Sequence, residues 1–579
     1  MDASQRLADA TQGLADATQG KVWIGAQIVR QGLRDVRQME RGGKGARVVA
    51  GKGAWEGAGR GWEGARKGPG PPPTPPPLPP PLAKNENTFY SWVMATTPTA
   101  RDLTLQQIHE RQKQAFLADP QPGAKIRRDR ISRLKRLVLD NAAELTAAMR
   151  EDYGSRPETL STLTDIASSI PDLDHQRGHV RKWMKPTRPS RALDRLGFTQ
   201  QIRHDPKGVV GIIGPWNFPL YLTIVPAGSA LAAGNRVMIR PSSVTARTTE
   251  VLCTRAPEYF AVDEMAFAGP EHGRGSDFSV LPFDHLFFTG SPGVGKSIAR
   301  DAAENLTPVT LELGGKNPVI VDTSADIERA ARNIASSRLV NGGQVCMCPD
   351  YVWVPQQDMD RFCDIVLDQW RSTLPAIAGN PEYTATVNDS NYERIVGLID
   401  DAVAKGATKQ DAAPAGESLP DPVTRKIAPT LLTGVTAEMD IDSDEVFGPV
   451  LTVFGYRSVE EPIRYIVDRP SPLVLYWYGE KNDRFDTVAD RTRSGNIYGN
   501  DFGIGMVSSA IPFGGVGNSG MGSYHGHHGF RTFTHERAVA LHGFDYSAAD
   551  FMVPPFTPEK KKQASMYFNA MRLRTRFLG

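Results

Sequence analysis

The pattern of apolar and polar positions divides the chain into stretches of different character. From Leu103 to about Trp183, apolar residues recur at three- and four-residue spacings with charge between them, as in LQQIHERQKQAF and RRDRISRLKRLVLDNAAELTAAMREDYG. That period predicts amphipathic helices, and the basic residues of IRRDRISRLKRL read as a solvated helix face rather than a phosphate surface. Residues 185–202 are rich in Pro and Arg and then alternate, which predicts an extended arm. From Gly208 the texture changes. Residues 208–213 form a short apolar run, a buried strand that ends in the irregular loop GPWNFP. A helix follows, stops near Gly234 and Asn235, and residues 236–240 give the next strand. A helix from about Ala246, a strand at Leu286, Phe287 and Phe288, a helix from Val294 and a strand over residues 309–311 complete the run.

Strands that alternate with helices predict an α/β fold with a parallel sheet covered on both faces. Ligands in such sheets sit beyond the carboxyl ends of the strands. Those ends carry residues 215–217, 240–243, 290–295 and 312–315, which should converge on one crevice. The segment Gly290-Ser291-Pro292-Gly293-Val294-Gly295 follows a strand and opens a helix, where free amides suit a phosphate. It is not the G-x-G-x-x-G fingerprint. Nor is Gly295-Lys296-Ser297 part of a P-loop, because the first glycine of that motif is misplaced.

Composition narrows the class. The 579 residues imply more than one domain, and 40% hydrophobic with 23% charged content suits a globular protein with a sizeable core. A net charge of +2 gives no electrostatic reason to expect nucleic acid as a partner. No apolar run is long enough for a spanning helix. The 4 cysteines (Cys253, Cys346, Cys348 and Cys363) are sparse and read as reduced, cytoplasmic usage. Residues 1–93 stand apart: LADATQG occurs twice in tandem, a Gly/Arg-rich region follows, and residues 69–82 are nearly all proline. Two readings stay open, a docking tail for a proline-recognising domain and a disordered or upstream-translated extension with the start at Met94; the composition favours the second.

Candidate chemistry sits in VTLELGGKNPVIV and SSRLVNGGQVCMCPD. Glu312 precedes a Gly-Gly turn and Cys346 lies in a Gly-rich turn. A thiolate attacks an electrophilic carbon, and a carboxylate opposite it activates water.

Over residues 103–541 the chain resembles the aldehyde dehydrogenase superfamily, and within it the coniferyl aldehyde and fatty- or aromatic-aldehyde branch. The resemblance rests on GPWNFP, AAGNRVMIRPS, LPFDHLFFTGS, ENLTPVTLELGGKNP, NGGQVCMCPDYV, DEVFGPVLTV, PFGGVGNSGMGSYHGHHGF and TFTHERAV, in that order. It implies a Rossmann-like cofactor domain (residues 94–184 and 203–311), an α/β catalytic domain (312–510), an oligomerisation arm with an active-site-mouth segment (185–202 and 511–545, its partner strand near 538–541) and a tail (546–579). It implies Cys346 as nucleophile, Glu312 as the base that activates water, and Asn217 with the Cys346 N–H as oxyanion donors. Trp216, Arg240, Ser243, Gly290, Ser291, Gly295, Leu313, Glu445 and Phe447 would hold NAD or NADP, with Tyr221 and Phe513 as walls of the aldehyde tunnel. The implied reaction oxidises an aromatic, coniferaldehyde-like aldehyde, or a medium-chain aliphatic one, to its acid through a thioester on Cys346. A homodimer is the implied assembly.

Some positions depart from the family pattern. The Lys and Glu of its KPSE motif are Arg240 and Ser243 here. Loss of an acid beside an Arg admits a 2′-phosphate, so NADP is expected to be accepted; Arg240 as a plain ribose donor that keeps NAD dominant is the alternative. Pro292 replaces Thr of GSTxxG, which matters only if its amide is needed. Cys348 stands where Ala is usual, and reads either as a redox partner of Cys346 or, preferred, as a space-filling core residue. His525, His527 and His528 read as a loop near the active-site mouth rather than a metal site, and no metal is expected. Residues 567–578 read as a membrane-touching amphipathic segment or, preferred, a packed or frayed terminus. Two other functions stay open: a cysteine-dependent (thio)ester hydrolase and a non-catalytic binding protein on the same fold.

Overall fold

The computed structural model describes residues 99–189, 198–543 and 547–578. Every described residue lies in the unit Tyr90–Gly579. The expectations for residues 1–93, and part of those for the arm, lie outside the described residues.

The helical period of the first stretch becomes helices Leu105–Ala118, Ala124–Asp140, Ala142–Tyr153 and Ser168–Trp183. Ile131, Leu134, Leu137 and Val138 form the buried face of the second of these. Its expected solvated basic face is only partly solvated, because Arg127 and Arg130 are buried. Arg127 donates to the carbonyls of Pro122, Ala232 and Ala233, so it satisfies the carboxyl end of helix Tyr221–Ala233. Arg130 pairs with Glu264 at 3.0 Å.

Strand β1 (Phe198–Pro206) begins within the segment expected to form an arm. Strands β2 (Val209–Ile213), β3 (Arg236–Arg240), β4 (Met265–Phe267), β5 (His285–Gly290) and β6 (Val309–Leu313) follow, each within a residue or two of its expected place where one was expected. They pair in parallel in the order β6-β5-β2-β3-β4. The chain leaves in one direction from β2 to β3 and returns to its other side at β5, which makes a switch point between β2 and β5. Every residue of β3 is buried, as are four of the five in β2, as the continuous apolar runs require.

The second sheet holds β7 (Asn317–Val321), β8 (Pro349–Pro355), β9 (Thr408–Asp411), β10 (Thr430–Thr433), β11 (Val450–Tyr456), β12 (Val474–Tyr478) and β13 (Asn496–Gly499), in the order β13-β12-β7-β8-β11-β10-β9. It is parallel except for β9 against β10. Then β14 (Gly520–Met521) returns to the first sheet and pairs antiparallel with β6, with Gly520 opposite Glu312. Last comes β15 (Thr534–His542), antiparallel to β1.

Three boundaries differ from expectation. Strand β6 runs through Leu313, so the first sheet extends past residue 311 and carries Glu312 within it. Part of segment 511–545 is built into that sheet through β14. The arm strand continues to Pro206, since its ladder with β15 runs from Phe198 opposite His542 to Pro206 opposite Thr534.

Candidate active site

Cys346 is presented by a turn that few residues can make. Asn341, Gly342 and Gly343 all have positive φ (52°, 62° and 77°). A Cβ on Gly343 would meet the Gly448 carbonyl, closer than any side chain tolerates. Side chains then lock the loop. Gln344 donates to the carbonyls of Asn341 (2.8 Å) and Ala385 (3.0 Å) and accepts from the Val387 N–H. Asn317 donates to the carbonyls of Cys346 (2.8 Å) and Cys348 (3.0 Å), and the Tyr476 hydroxyl donates to the Met347 carbonyl. Cys348 faces the other way: it is buried and its thiol donates to the Ser337 carbonyl, as a core residue would.

One cavity of about 520 Å³ is lined by Cys346, Glu312 and Asn217, three residues distant in sequence. Burial pushes the Cys346 thiol up to about 12, with the Glu445 and Glu312 carboxyls adding to the effect. Glu312 is 4% exposed and neither of its oxygens has a hydrogen-bond partner. Burial alone lifts it well above the ordinary carboxylate range. Glu445 is half-buried and is raised to about 8 by desolvation and then by Asp350, while the Gly315 N–H, Arg394 and Lys316 oppose the shift.

Asn217 is held by groups that sequence reasoning missed. Its carbonyl accepts from Arg156 (2.9 Å), the Tyr153 hydroxyl (3.2 Å) and the Asn341 amide (3.1 Å). Arg156 in turn pairs with Asp165 at 2.7 Å, both fully buried, and Asp165 accepts from the N–H groups of Leu220 and Tyr221. The Asn217 side-chain amide donates to the Gln344 carbonyl at 3.2 Å, which fixes its direction and leaves its second N–H for a ligand. No local period marks Arg156 or Asp165, because their partners lie far along the chain.

Trp216, Arg240, Ser243, Gly290, Ser291, Leu313, Glu445 and Phe447 line the same cavity. Phe447 sits at φ 50°, a left-handed conformation unusual for an aromatic residue, and its ring meets Trp216 edge-on at 5.3 Å. Ser291 caps helix Pro292–Glu304, where Pro292 occupies the first turn and its missing N–H costs no helical bond. Arg240 donates to the carbonyls of Ala268, Gly269 and Gly273.

Two expected residues do not line the cavity. Gly295 is a buried helix residue whose lack of a side chain makes room for Leu313, since a Cβ there would lie 2.6 Å from the Leu313 methyl. Tyr221 is turned away and donates its hydroxyl to Asp172 at 3.0 Å; its neighbour Leu222 lines the cavity in its place. Phe513 and Tyr524 both line the cavity. His525 is buried against Phe513, and no group of three metal-ligating side chains occurs among the described residues.

The aldehyde dehydrogenase family model matches residues 84–539. The chain belongs to the aldehyde dehydrogenase family. A probable coniferyl aldehyde dehydrogenase of Caulobacter vibrioides is 43% identical over 446 residues, which is 76% of this chain and 91% of the relative. A coniferyl aldehyde dehydrogenase of a Pseudomonas species is 40% identical over 75% of this chain and 89% of its own. Among solved structures, the substrate-bound AldH of Staphylococcus aureus superposes with a TM-score of 0.72 at 31% identity, over 80% of this chain and 100% of that one. The indole-3-acetaldehyde dehydrogenase AldA of P. syringae, in complex with NAD+ and IAA, gives 0.69 at 26% identity, over 77% and 90%. As an aldehyde dehydrogenase the chain oxidises aldehydes with NAD(P)+. The residues at the crevice fit a dinucleotide: it opens at the carboxyl ends of β2, β3, β5 and β6 beside the amino end of helix Pro292–Glu304, and a Cβ on Gly314 would collide with the Glu445 carboxylate. Among the described residues, no helix is long and apolar enough to cross a membrane.

Proposed function

We propose that Cys346 is the nucleophile, Asn217 and the Cys346 N–H the oxyanion donors, and Glu312 the base. What carries this reading is one cavity bounded by a thiol, a partnerless carboxyl and an amide with one N–H to spare. The Cys346 sulfur bonds to the aldehyde carbon, and the oxygen that gains charge lies against the Asn217 amide. Bound NAD(P)+ supplies the hydride acceptor and a positive charge that favours the thiolate. With the acyl group on Cys346 as a thioester, Glu312 takes a proton from water and the hydroxide releases the acid. Glu445 and Phe447 orient the nicotinamide ribose and ring, and Trp216, Arg240, Ser243, Gly290 and Ser291 hold the adenosine and pyrophosphate side. The hydrolase alternative lacks its activator, because no histidine lines the cavity among the described residues.

The substrate reading is an aromatic, coniferaldehyde-like aldehyde, with medium-chain aliphatic aldehydes second. It is supported by the relatives named for coniferyl aldehyde and by the Phe513 and Tyr524 rings in the wall. Ser243 puts no carboxylate where a 2′-phosphate would lie, while the carbonyls on Arg240 occupy most of its donors, so both NAD and NADP are accepted. The assembly is a homodimer through the arm, and the four free cysteines suit the cytoplasm. An aldehyde panel run with NAD and with NADP in parallel tests the function. Cys346→Ser abolishes oxidation. Glu312→Gln gives a burst of reduced cofactor and then stalls; turnover at the parent's rate over neutral pH removes Glu312 from the base role.

A further inference from the structure

Behind the cavity wall lies a buried polar cluster that the proposed mechanism does not use. Asp172, on helix Ser168–Trp183, accepts the Tyr221 hydroxyl at 3.0 Å, and His525 Nε2 lies 3.3 Å from the same hydroxyl. All three residues are at most 4% exposed. Asp172 Oδ1 and His525 Nδ1 have no hydrogen-bond partner. The proton count is informative. Tyr221 has one hydrogen, which goes to Asp172, so the Nε2 contact requires the imidazole to carry its own hydrogen there. Burial pulls His525 below its ordinary value, against the pull of Asp172, and so favours the neutral ring. A neutral ring with its hydrogen on Nε2 leaves Nδ1 a bare acceptor. The cluster therefore holds two buried acceptors and lacks a donor, an arrangement that costs stability unless something supplies one.

The cluster adjoins the cavity through single side chains. Phe513 lines the cavity and stacks on His525 at 5.5 Å and 26°. Leu222 follows Tyr221, and the Tyr524 ring meets His525 at 4.4 Å. The backbones of Phe513 and Tyr524 are bonded to each other at 3.0 and 2.8 Å, so their rings, both packed on His525 and both lining the cavity, form the wall between the cluster and the pocket.

We propose that Asp172, Tyr221 and His525 form a hydroxyl-recognising subsite at the far end of the aldehyde pocket, which selects aromatic aldehydes bearing a ring hydroxyl para to the aldehyde-bearing chain. The phenolic O–H is the donor the two acceptors lack. The inference rests on the aromatic-aldehyde reading of the substrate. A 4-methoxy group matches the hydroxyl in its electronic effect on the carbonyl but donates nothing, so 4-hydroxycinnamaldehyde against 4-methoxycinnamaldehyde isolates the hydrogen bond.

The test is kcat/KM for both aldehydes, and for cinnamaldehyde, at saturating cofactor with the full chain. The parent prefers the hydroxy over the methoxy compound by about 10- to 100-fold, the span of one hydrogen bond to a charged group. Asp172→Asn and His525→Leu, which weaken or remove an acceptor, each bring that ratio towards one, and His525→Gln is a further variant should either fail to fold. A parent ratio near one overturns the subsite, with the acceptors then served by buried water only, and needs no variant. A parent preference that survives in the folded variants, with all three aldehydes slowed equally, overturns the placement and leaves these residues a structural role. Absence of reduced cofactor from all three aldehydes in the parent overturns the substrate reading instead.

Discussion

Glu312 is held by its surroundings in the protonation state its proposed task cannot use. Burial favours the neutral carboxyl and no donor compensates the anion. A raised pKa also makes the anion, once formed, a stronger base towards water. The thiol of Cys346 is raised in the same way, so both groups demand higher pH, and activity rises from neutral into alkaline solution. The same physics sets stability. In the unfolded chain Glu312 ionises near its ordinary 4.5, while in the folded chain it ionises only well above that. The folded state then binds the extra proton, so this residue's contribution is complete below about 4.5 and is lost as pH rises towards its folded value. Glu312→Gln removes that dependence. We expect its stability to match the parent near pH 4 and to exceed it at pH 8 by about 1 kcal/mol or more, read as a higher melting temperature, while turnover collapses. Thermal unfolding of both proteins across that range checks it; a variant less stable than the parent at pH 8 contradicts the account.

At the scale of elements, the loop between β2 and helix Tyr221–Ala233 is fixed by a neighbour that the sequence does not advertise. GPWNFP was readable as an irregular loop at a strand end, and its Asn217 as a candidate, because the break in the apolar run is local. Arg156 and Asp165 were not readable, since a buried ion pair obeys no period and acts on residues far along the chain. Tyr221 was misread for a related reason: sequence places it in the helix but not on which side its hydroxyl finds a partner. The two ways of loosening Asn217 differ in cost. Tyr153→Phe removes one hydroxyl that donates to the carbonyls of Trp216 and Asn217, a loss of about 1 kcal/mol. Arg156→Met strands the buried Asp165 carboxylate and costs about 3–5 kcal/mol. Tyr153→Phe therefore yields folded enzyme whose kcat falls about tenfold with KM for the cofactor little changed, as expected of a group that positions the oxyanion donor. Steady-state kinetics corrected for titrated active thiol checks this, and an unchanged kcat removes Tyr153 from the cradle.

For the whole molecule, the alternation of strands and helices over residues 208–313 was enough to place the first sheet and its crevice, because parallel strands buried on both faces leave unbroken apolar runs. The return of β14 to that sheet was not legible: two residues carry no period, and their pairing opposite Glu312 is a long-range event. The arm was legible in outline from its alternation, with Ile202 opposite Ala538 and Thr199 opposite Leu541. Its consequence for assembly follows from exposure. Most residues of β15 are exposed, Leu541 at 65%, and among the described residues β1 and β15 form a two-stranded sheet, with Thr187 bridged to Ile202 on the other edge of β1. A two-stranded ribbon is marginal in water by itself and the β15 edge is exposed, so it calls for a further surface, which a second copy of the chain can supply. Proline at Ala538 of β15 tests this: the opposite residue, Ile202, spends its backbone bonds on Thr187, so the Ala538 N–H faces the outer edge of β15 and proline removes it there without touching the cavity. We expect the parent to sediment at twice the mass of one chain and Ala538→Pro to shift towards the monomer. Cys346, Glu312 and Asn217 line one cavity of a single chain, so the variant's monomer should still form reduced cofactor while melting several degrees earlier. A parent that sediments as a monomer, or a Pro variant that stays fully dimeric, removes the arm from the interface.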